Sequence, residues 1–126
     1  MLFRSQGYAA VSGDTNPVHL DAAYAAKTRF KAPIAHGMLS AGVISAAIGT
    51  QLAPHAVVIY LSQNLEFVQP VHLWDLLTVS LTVSAVDPRR HRVTVDTSVL
   101  NQDSAEVIRG EAVILVEALQ IGRAHV

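Results

Sequence analysis

The sequence reads Ser-Gly-Asp-Thr-Asn-Pro-Val-His-Leu-Asp over residues 12–21 and Pro-Ile-Ala-His-Gly-Met over residues 33–38. The first stretch places a carboxylate, Asp14, and an imidazole, His19, five positions apart on a turn that Pro17 constrains. The second stretch puts a His-Gly pair directly before a long apolar segment, which predicts the start of a helix. A carboxylate, an imidazole and the unbonded N–H groups of a helix start together favour an acid–base site.

The local conformation around the two polar residues follows from their neighbours. Asn16-Pro17 favours a turn, because proline moves the preceding residue out of the helical region. Asp21 predicts an N-cap for a short helix over residues 22–27. These residues alone leave two interpretations open. Either Asp14 and His19 point into one cleft as an acid–base pair, or they are a turn-former and a buried structural group.

The rest of the chain predicts one buried helix followed by antiparallel strands. From Gly37 to about Leu52, apolar residues recur at helical spacing and small residues fill the gaps, as in a helix pressed against a sheet. Alternation of apolar and polar residues predicts strands over 77–85, 93–99 and 106–119, with turns at 87–90 and 101–104. Trp74 is expected to pack at the start of a strand. This order indicates an α+β fold.

Composition excludes several classes of function. At 126 residues the chain has room for one domain, and its net charge of −1 without a basic block argues against a nucleic-acid partner. No apolar run reaches the roughly 18–20 residues of a membrane span, so no membrane partner is expected. The absence of Cys excludes disulfides and zinc–thiolate sites and fits a cytoplasmic protein. Four of the six His residues show no metal-ligand spacing, and no metal is expected: His55, His72, His91 and His125.

Residues 8–38 resemble the hydratase motif of the MaoC-like family, which includes the (R)-specific enoyl-CoA hydratases. Members carry a D-x-N-P-x-H turn, here residues 14–19, and an A-H-G-M entry to a central helix, here residues 35–38. The likeness continues to about Leu119. It implies a hot-dog fold, in which a curved antiparallel sheet wraps around the helix at residues 37–52. The resemblance also implies a homodimer.

The implied reaction is reversible hydration of a trans-2-enoyl-CoA to an (R)-3-hydroxyacyl-CoA. The catalytic Asp and His of the family fall on Asp14 and His19, which would transfer protons through one water molecule. Gly37, at the helix start, would present its N–H to the thioester oxygen. No cofactor is expected, because coenzyme A or the pantetheine arm of a carrier protein is part of the substrate. The expected substrate-binding residues are Asn16, His36, Met38, Ser45, Ile48 and Val113.

Several of these roles have alternatives. Asn16 is expected to orient Asp14 more than to touch substrate, and His36 either shares the imidazole role or supports the loop. The acyl pocket is placed by the resemblance, whereas the pattern alone makes its residues ordinary core: Ser45, Ile48 and Val113. One loop carries three basic residues that either meet substrate phosphates or are simply solvated: Lys27, Arg29 and Lys31.

Three alternative functions were compared with enoyl-CoA hydration. The first is dehydration of a 3-hydroxyacyl carrier protein in fatty-acid synthesis, which the sequence does not separate from the CoA reaction. The second is a hot-dog thioesterase, which would need a carboxylate on the central helix, whereas residues 37–52 contain no Asp or Glu. The third is a non-catalytic acyl-binding subunit, which is disfavoured because both Asp14 and His19 are present.

The two ends of the chain are expected to be non-native. Residues 121–126 and residues 2–5 can both be encoded by common sequencing-adapter strings, with Met1 as an apparent start. The natural hot-dog domain is therefore predicted to span residues 6–120, with residues 1–5 and 121–126 derived from adapter. On this hypothesis the first strand of the sheet is missing, and the source nucleotide reads would test it.

Overall fold

Helices precede the sheet in the computed structural model, which describes residues 2–118. The helices are α1 (Leu2–Ser12), α2 (Pro17–Leu20), α3 (Ala22–Ala26) and α4 (Gly37–Ala47), and α4 continues into one π-helical turn, Ile48–Leu52. The strands are β1 (Ala56–Phe67), β2 (Thr78–Asp87), β3 (Arg92–Leu100) and β4 (Glu106–Ala118). The predicted adapter residues 121–126, Met1 and the predicted strand end at Leu119 lie outside the described residues.

Local sequence signals account for the helix ends. α1 stops before Gly13, whose φ of +80° is a left-handed conformation that favours glycine. The Asp21 side chain accepts a hydrogen bond from the Tyr24 N–H (3.1 Å), which confirms the predicted N-cap of α3. Pro54 follows two residues after the end of the π-helical turn. No helix within residues 2–118 combines the length and apolar character that a bilayer crossing requires.

The four strands form one antiparallel sheet in the order β1-β4-β3-β2. The three strands and two turns predicted for the second half are confirmed up to Ala118, where the described residues end. The expectation for Trp74 is wrong, since its side chain is 86% exposed and lies before β2 begins. The reason is local: the Asp75 carboxylate accepts a hydrogen bond from the His72 N–H (2.8 Å), which closes a turn there.

One face of the sheet, here called the inner face, packs against α4. The helix contributes Ile44 and Ile48, each 1% exposed, which confirms that it is pressed against a sheet. The strand residues packed with them are Val95, Val99, Ile108, Ala112 and Ile114. Burial of this apolar surface, at roughly 25 cal/mol per Å², is the main stabilising contribution of the domain. The opposite, outer face carries the intervening residues of each strand.

Gly110 lies where two strands of the sheet approach each other closely. A Cβ atom at this position would overlap the backbone carbonyl oxygen of Asn64 on the neighbouring strand. The Asn64 side chain also accepts a hydrogen bond from the Glu111 N–H (2.9 Å). This junction between β1 and β4 therefore requires glycine for space alone.

Candidate active site

The loop after α1 is held by short polar side chains. The Asp14 N–H donates to Ser12 Oγ (3.1 Å), and the Asn16 N–H donates to Asp14 Oδ1 (3.2 Å). Both bonds lie within the turn, and the second holds the Asp14 carboxylate against the backbone. The side chain of Asp14 remains exposed to solvent.

Asn16 shapes this loop by starting the next helix. Its Oδ1 accepts a hydrogen bond from the Val18 N–H (3.1 Å), and Pro17 occupies the first position of α2. The backbone carbonyl of Asn16 accepts the His19 N–H (3.1 Å). Asn16 thus orients the Asp14 carboxylate through the Asn16 N–H and also starts α2, the helical turn that carries His19.

A distant carbonyl sets the tautomer of His19. The Nδ1 atom lies 2.8 Å from the backbone oxygen of Ile34, and His19 is 9% exposed. A carbonyl oxygen only accepts hydrogen bonds, so Nδ1 carries the proton and the neutral ring leaves Nε2 as an unprotonated acceptor. An unprotonated imidazole nitrogen beside a carboxylate is the arrangement of a general base.

His36 contacts both the His19 ring and the backbone of Asp14. Its Nε2 donates to the backbone oxygen of Asp14 (3.0 Å), and its ring lies 4.0 Å from the His19 ring and 4.7 Å from the Tyr8 ring, between centroids. The side chain is 1% exposed, and its Nδ1 has no hydrogen-bond partner among the described residues. His36 therefore connects the Asp14 loop to the start of α4 and supports the His19 ring.

The start of α4 presents free backbone donors beside these side chains. His36 is the N-cap residue of α4 and makes no side-chain cap, so the first N–H groups of the helix donate no hydrogen bond to its side chain. Gly37 is the first helical residue and packs against Phe67, since a Cβ atom there would lie 3.0 Å from the Phe67 ring. The helix start thus combines a positive dipole end with a glycine backbone that packs against the Phe67 ring.

A cavity of about 280 Å³, here called the His19 cavity, lies beside His19 and the start of α4, and its lining does not include Asp14, Asn16 or His36. Its lining includes His19, Gly37, Ser40 and Phe67, and Arg29 stands at its edge. A larger concavity of about 460 Å³ lies elsewhere, over Asn64, Asp96 and Arg109. That concavity contains no histidine, so we place the chemistry in the His19 cavity despite its smaller volume.

The side chains of Asp14, His19 and His36 are close enough to bind a metal ion. One candidate ligand atom from each lies within 4.8 Å of the others. The hydrogen bond from His36 Nε2 to the Asp14 carbonyl keeps that nitrogen protonated, so an ion could bind His36 only through its buried Nδ1. This geometry fits acid–base chemistry by Asp14 and His19 more directly than it fits metal binding.

The remaining residues predicted to bind substrate do not converge on the His19 cavity. Met38 and Ser45 line a second concavity of about 320 Å³, here called the α4–β1 groove. The other residues of that groove are Ala41, Gly42, Tyr60, Leu61, Ser62, Gln63 and Leu65. Burial raises the pKa of the Tyr60 hydroxyl. Ile48 belongs to the inner-face core, whereas Val113, which alternates with buried Ala112 and Ile114, faces the outer side.

Of the three basic residues in the loop before α4, one lines the His19 cavity and two do not. Arg29 lines the His19 cavity and its guanidinium lies 5.0 Å from the centroid of the Phe30 ring. Lys27 and Lys31 are exposed and are not part of the cavity lining. Arg29 is therefore the basic residue of this loop that borders the site.

Two residues of the site were not singled out in the sequence. Ser40 has a detectable signal, because it lies one helical turn after Gly37 and so shares its face of α4. Phe67 has none, because its contact with Gly37 joins residues thirty positions apart. Contacts of that kind depend on the three-dimensional packing of the sheet against the helix.

Known proteins are similar to this chain in both sequence and fold. The MaoC like domain family matches residues 4–105. A (R)-specific enoyl-CoA hydratase of Rhodospirillum rubrum is 45% identical over 111 residues, which are 88% of this chain and 76% of that protein.

Two solved structures are similar throughout. The first is the (R)-hydratase of Aeromonas caviae involved in PHA biosynthesis, with a TM-score of 0.85 and 40% identity over 90% of this chain and 85% of the other. The second is an R-hydratase of Pseudomonas aeruginosa in unliganded form, with a TM-score of 0.85 and 49% identity over 96% of this chain and 79% of the other. The α+β hot-dog architecture is thereby confirmed, and the chain belongs to the MaoC-like family.

Proposed function

We propose that this protein is a hydro-lyase that hydrates trans-2-enoyl-CoA to (R)-3-hydroxyacyl-CoA, reversibly. The observation that carries the proposal is the position of the Asp14 carboxylate within 4.8 Å of a His19 ring nitrogen, next to the start of α4, whose first N–H groups have no side-chain cap. The similar hydratases named above support the same reaction, and the R configuration rests on them alone.

The proposed chemistry needs one water molecule and one acid–base pair. A water molecule bonded to Asp14 and His19 loses a proton to His19 Nε2 while its oxygen bonds to C3 of the enoyl thioester. The C2–C3 π electrons move toward the thioester, whose oxygen becomes negative. The His19 imidazolium then returns a proton to C2, and the thioester carbonyl is restored. Asp14 orients the water and stabilises the imidazolium.

Gly37 is proposed to hold the thioester oxygen while it is negative. Its N–H lies at the first position of α4, where the helix dipole adds to the hydrogen bond. Loss of one such donor typically costs about 3 kcal/mol of transition-state stabilisation. The reaction transfers no electrons and leaves nothing on the protein, so its balance requires no cofactor beyond the coenzyme A of the substrate.

The acyl chain is proposed to leave the His19 cavity past Phe67 and to enter the α4–β1 groove. Gly37 and Met38 are neighbours on α4, and one lines each concavity. Met38 and Ser45 are then contacts of the acyl chain, and Ile48 forms the core beneath it. Arg29, which lines the His19 cavity, is proposed to meet the phosphates of coenzyme A.

We further infer that two copies of the chain associate through β1. Within residues 2–118 this strand pairs on one side only, and it exposes Val57, Ile59 and Leu61 by 39%, 50% and 44%. Ile59→Lys should convert a dimer to a monomer in light scattering, whereas Val86→Lys on the other edge strand should not. A monomeric unsubstituted chain would refute this association.

The reaction itself is tested by adding the 126-residue protein to crotonyl-CoA in D₂O. We expect loss of the enoyl-thioester absorbance, with the C3 hydroxyl and the C2 deuterium added to the same face of the double bond, as one water molecule requires. NMR of the product gives this relative configuration. Addition to opposite faces would contradict the one-water scheme, and release of free thiol would instead indicate a thioesterase. Hydration of a carrier-protein thioester alone would assign the alternative dehydratase function.

A further inference from the structure

Ser40 has an unusual environment for a serine. It is 1% exposed, and its hydroxyl has no hydrogen-bond partner among residues 2–118. A buried hydroxyl without a partner destabilises a folded protein, because it has lost its hydrogen bonds to water and gained none. Groups of this kind in a folded structure call for an explanation, and a bound substrate is one of the few.

The usual partner of a helical serine makes no bond to the Ser40 hydroxyl. Serine hydroxyls inside helices commonly donate to the carbonyl four residues earlier, which for Ser40 is that of His36. That carbonyl accepts the backbone N–H of Ser40 (3.1 Å), and the hydroxyl makes no bond to it. The Ser40 hydroxyl is therefore available to a ligand.

Its position in α4 says which ligand. Gly37 and Ser40 are three residues apart, so they lie on the same face of the helix, one turn apart. Both line the His19 cavity, together with His19 and Phe67. A hydroxyl one turn below the Gly37 N–H is placed to contact the same atom of a bound thioester.

We propose that the Ser40 hydroxyl donates a second hydrogen bond, beside that of the Gly37 N–H, to the thioester oxygen of the substrate. This inference rests on the proposed hydration, in which that oxygen becomes negative as water adds to C3. Two donors aimed at one developing charge act in the transition state more than in the ground state. Without substrate the Ser40 hydroxyl has no hydrogen-bond partner among residues 2–118, and bound substrate supplies one.

The test compares Ser40→Ala with Ser5→Ala in the 126-residue protein. Ser5 is the matched control, because it is also fully buried with an unpartnered hydroxyl but lies on α1 outside the His19 cavity. For crotonyl-CoA hydration we expect kcat of Ser40→Ala to fall by about 100-fold, with KM changed by less than about threefold. Ser5→Ala should keep both constants. The Tm of each variant should stay equal or rise, since each loses an unsatisfied hydroxyl.

This combination of lower activity without lower stability separates a substrate contact from a structural role. A kcat of Ser40→Ala within twofold of the unsubstituted protein would overturn the inference, as would a fall in Tm that parallels the fall in kcat. Ser40→Cys, nearly isosteric and a weak donor, should give a kcat between those of Ser and Ala. An unsubstituted protein that hydrates nothing would refute the proposed function itself, whereas an active one with an indifferent Ser40 refutes only this contact.

Discussion

The sheet and the active-site corner are stabilised in different ways. The sheet is continuous: each strand pairs along its length with its neighbours, and the inner face shares one apolar core with α4. The corner, residues 12–37, depends on single hydrogen bonds to distant carbonyls, from His19 to Ile34 and from His36 to Asp14. A substitution in the sheet should therefore mainly lower the free energy of unfolding, whereas a substitution in the corner should mainly lower the rate of the reaction.

The largest expected effect on the free energy of unfolding is that of a substitution in the sheet, at Gly110. Gly110→Ala places a methyl group against the Asn64 carbonyl, so β1 and β4 must separate locally. We expect the free energy of unfolding to fall by about 3 kcal/mol or more, measured by urea denaturation. Gly42→Ala is the control, because no atom lies within 4 Å of its added methyl and alanine favours a helix. Equal stabilities of the two variants would contradict the close approach.

A smaller effect is expected at Asn16, which belongs to the corner. Asn16→Ala removes the cap of α2 and should cost about 1 kcal/mol of stability. It should also lower kcat, because the turn that orients Asp14 and His19 loosens. Asn16→Asp retains a capping oxygen and should recover most of the stability. If both variants match the unsubstituted protein in Tm and kcat, the cap has no role in the site.

The smallest effect is expected at the Glu66–Arg109 pair on the outer face. The guanidinium of Arg109, 2.7 Å from the carboxylate, lowers the pKa of Glu66. A lowered pKa in the folded state stabilises the protein above the usual glutamate pKa, and this contribution disappears as pH falls through the lowered value. Both side chains are more than half exposed, so the contribution is small.

Glu66→Gln should thus be slightly less stable than the unsubstituted protein near neutral pH and equal to it in acid. Thermal unfolding across this pH range measures the difference, and hydration of crotonyl-CoA should be unaffected. The control is Glu117→Gln, an exposed carboxylate with no ion pair in the described part of the chain. A stability difference that grows toward acid would contradict the assigned direction of the Glu66 pKa.

The sheet was the more predictable of the two regions. Its strands show alternation over many residues, so β2 and β3 follow from local pattern, and Gly37–Leu52 follows from helical spacing. The prediction that Trp74 packs at the start of a strand is wrong, because the turn that the Asp75 carboxylate closes outweighs the tendency of a large apolar side chain to be buried.

The site was predictable only where its residues are close in sequence. Asp14, Asn16 and His19 lie in one turn, and their order is recognisable. The tautomer of His19 depends on Ile34, and the shape of the cavity depends on Phe67, both of which are distant in the chain. Ser45 and Val113, expected together in an acyl pocket, lie on different sides of the sheet, because strand parity decides where Val113 points.

The central claim, that Asp14 and His19 form the acid–base pair, is tested by Asp14→Asn and His19→Asn on crotonyl-CoA. The first substitution keeps an oxygen that accepts the Asn16 N–H but removes the charge, and the second keeps a donor for the Ile34 carbonyl but removes the base. We predict that kcat/KM falls by about 1,000-fold in each variant while Tm changes by only a few degrees. Either variant retaining kcat/KM within about tenfold of the unsubstituted protein, when folded, would contradict the claim.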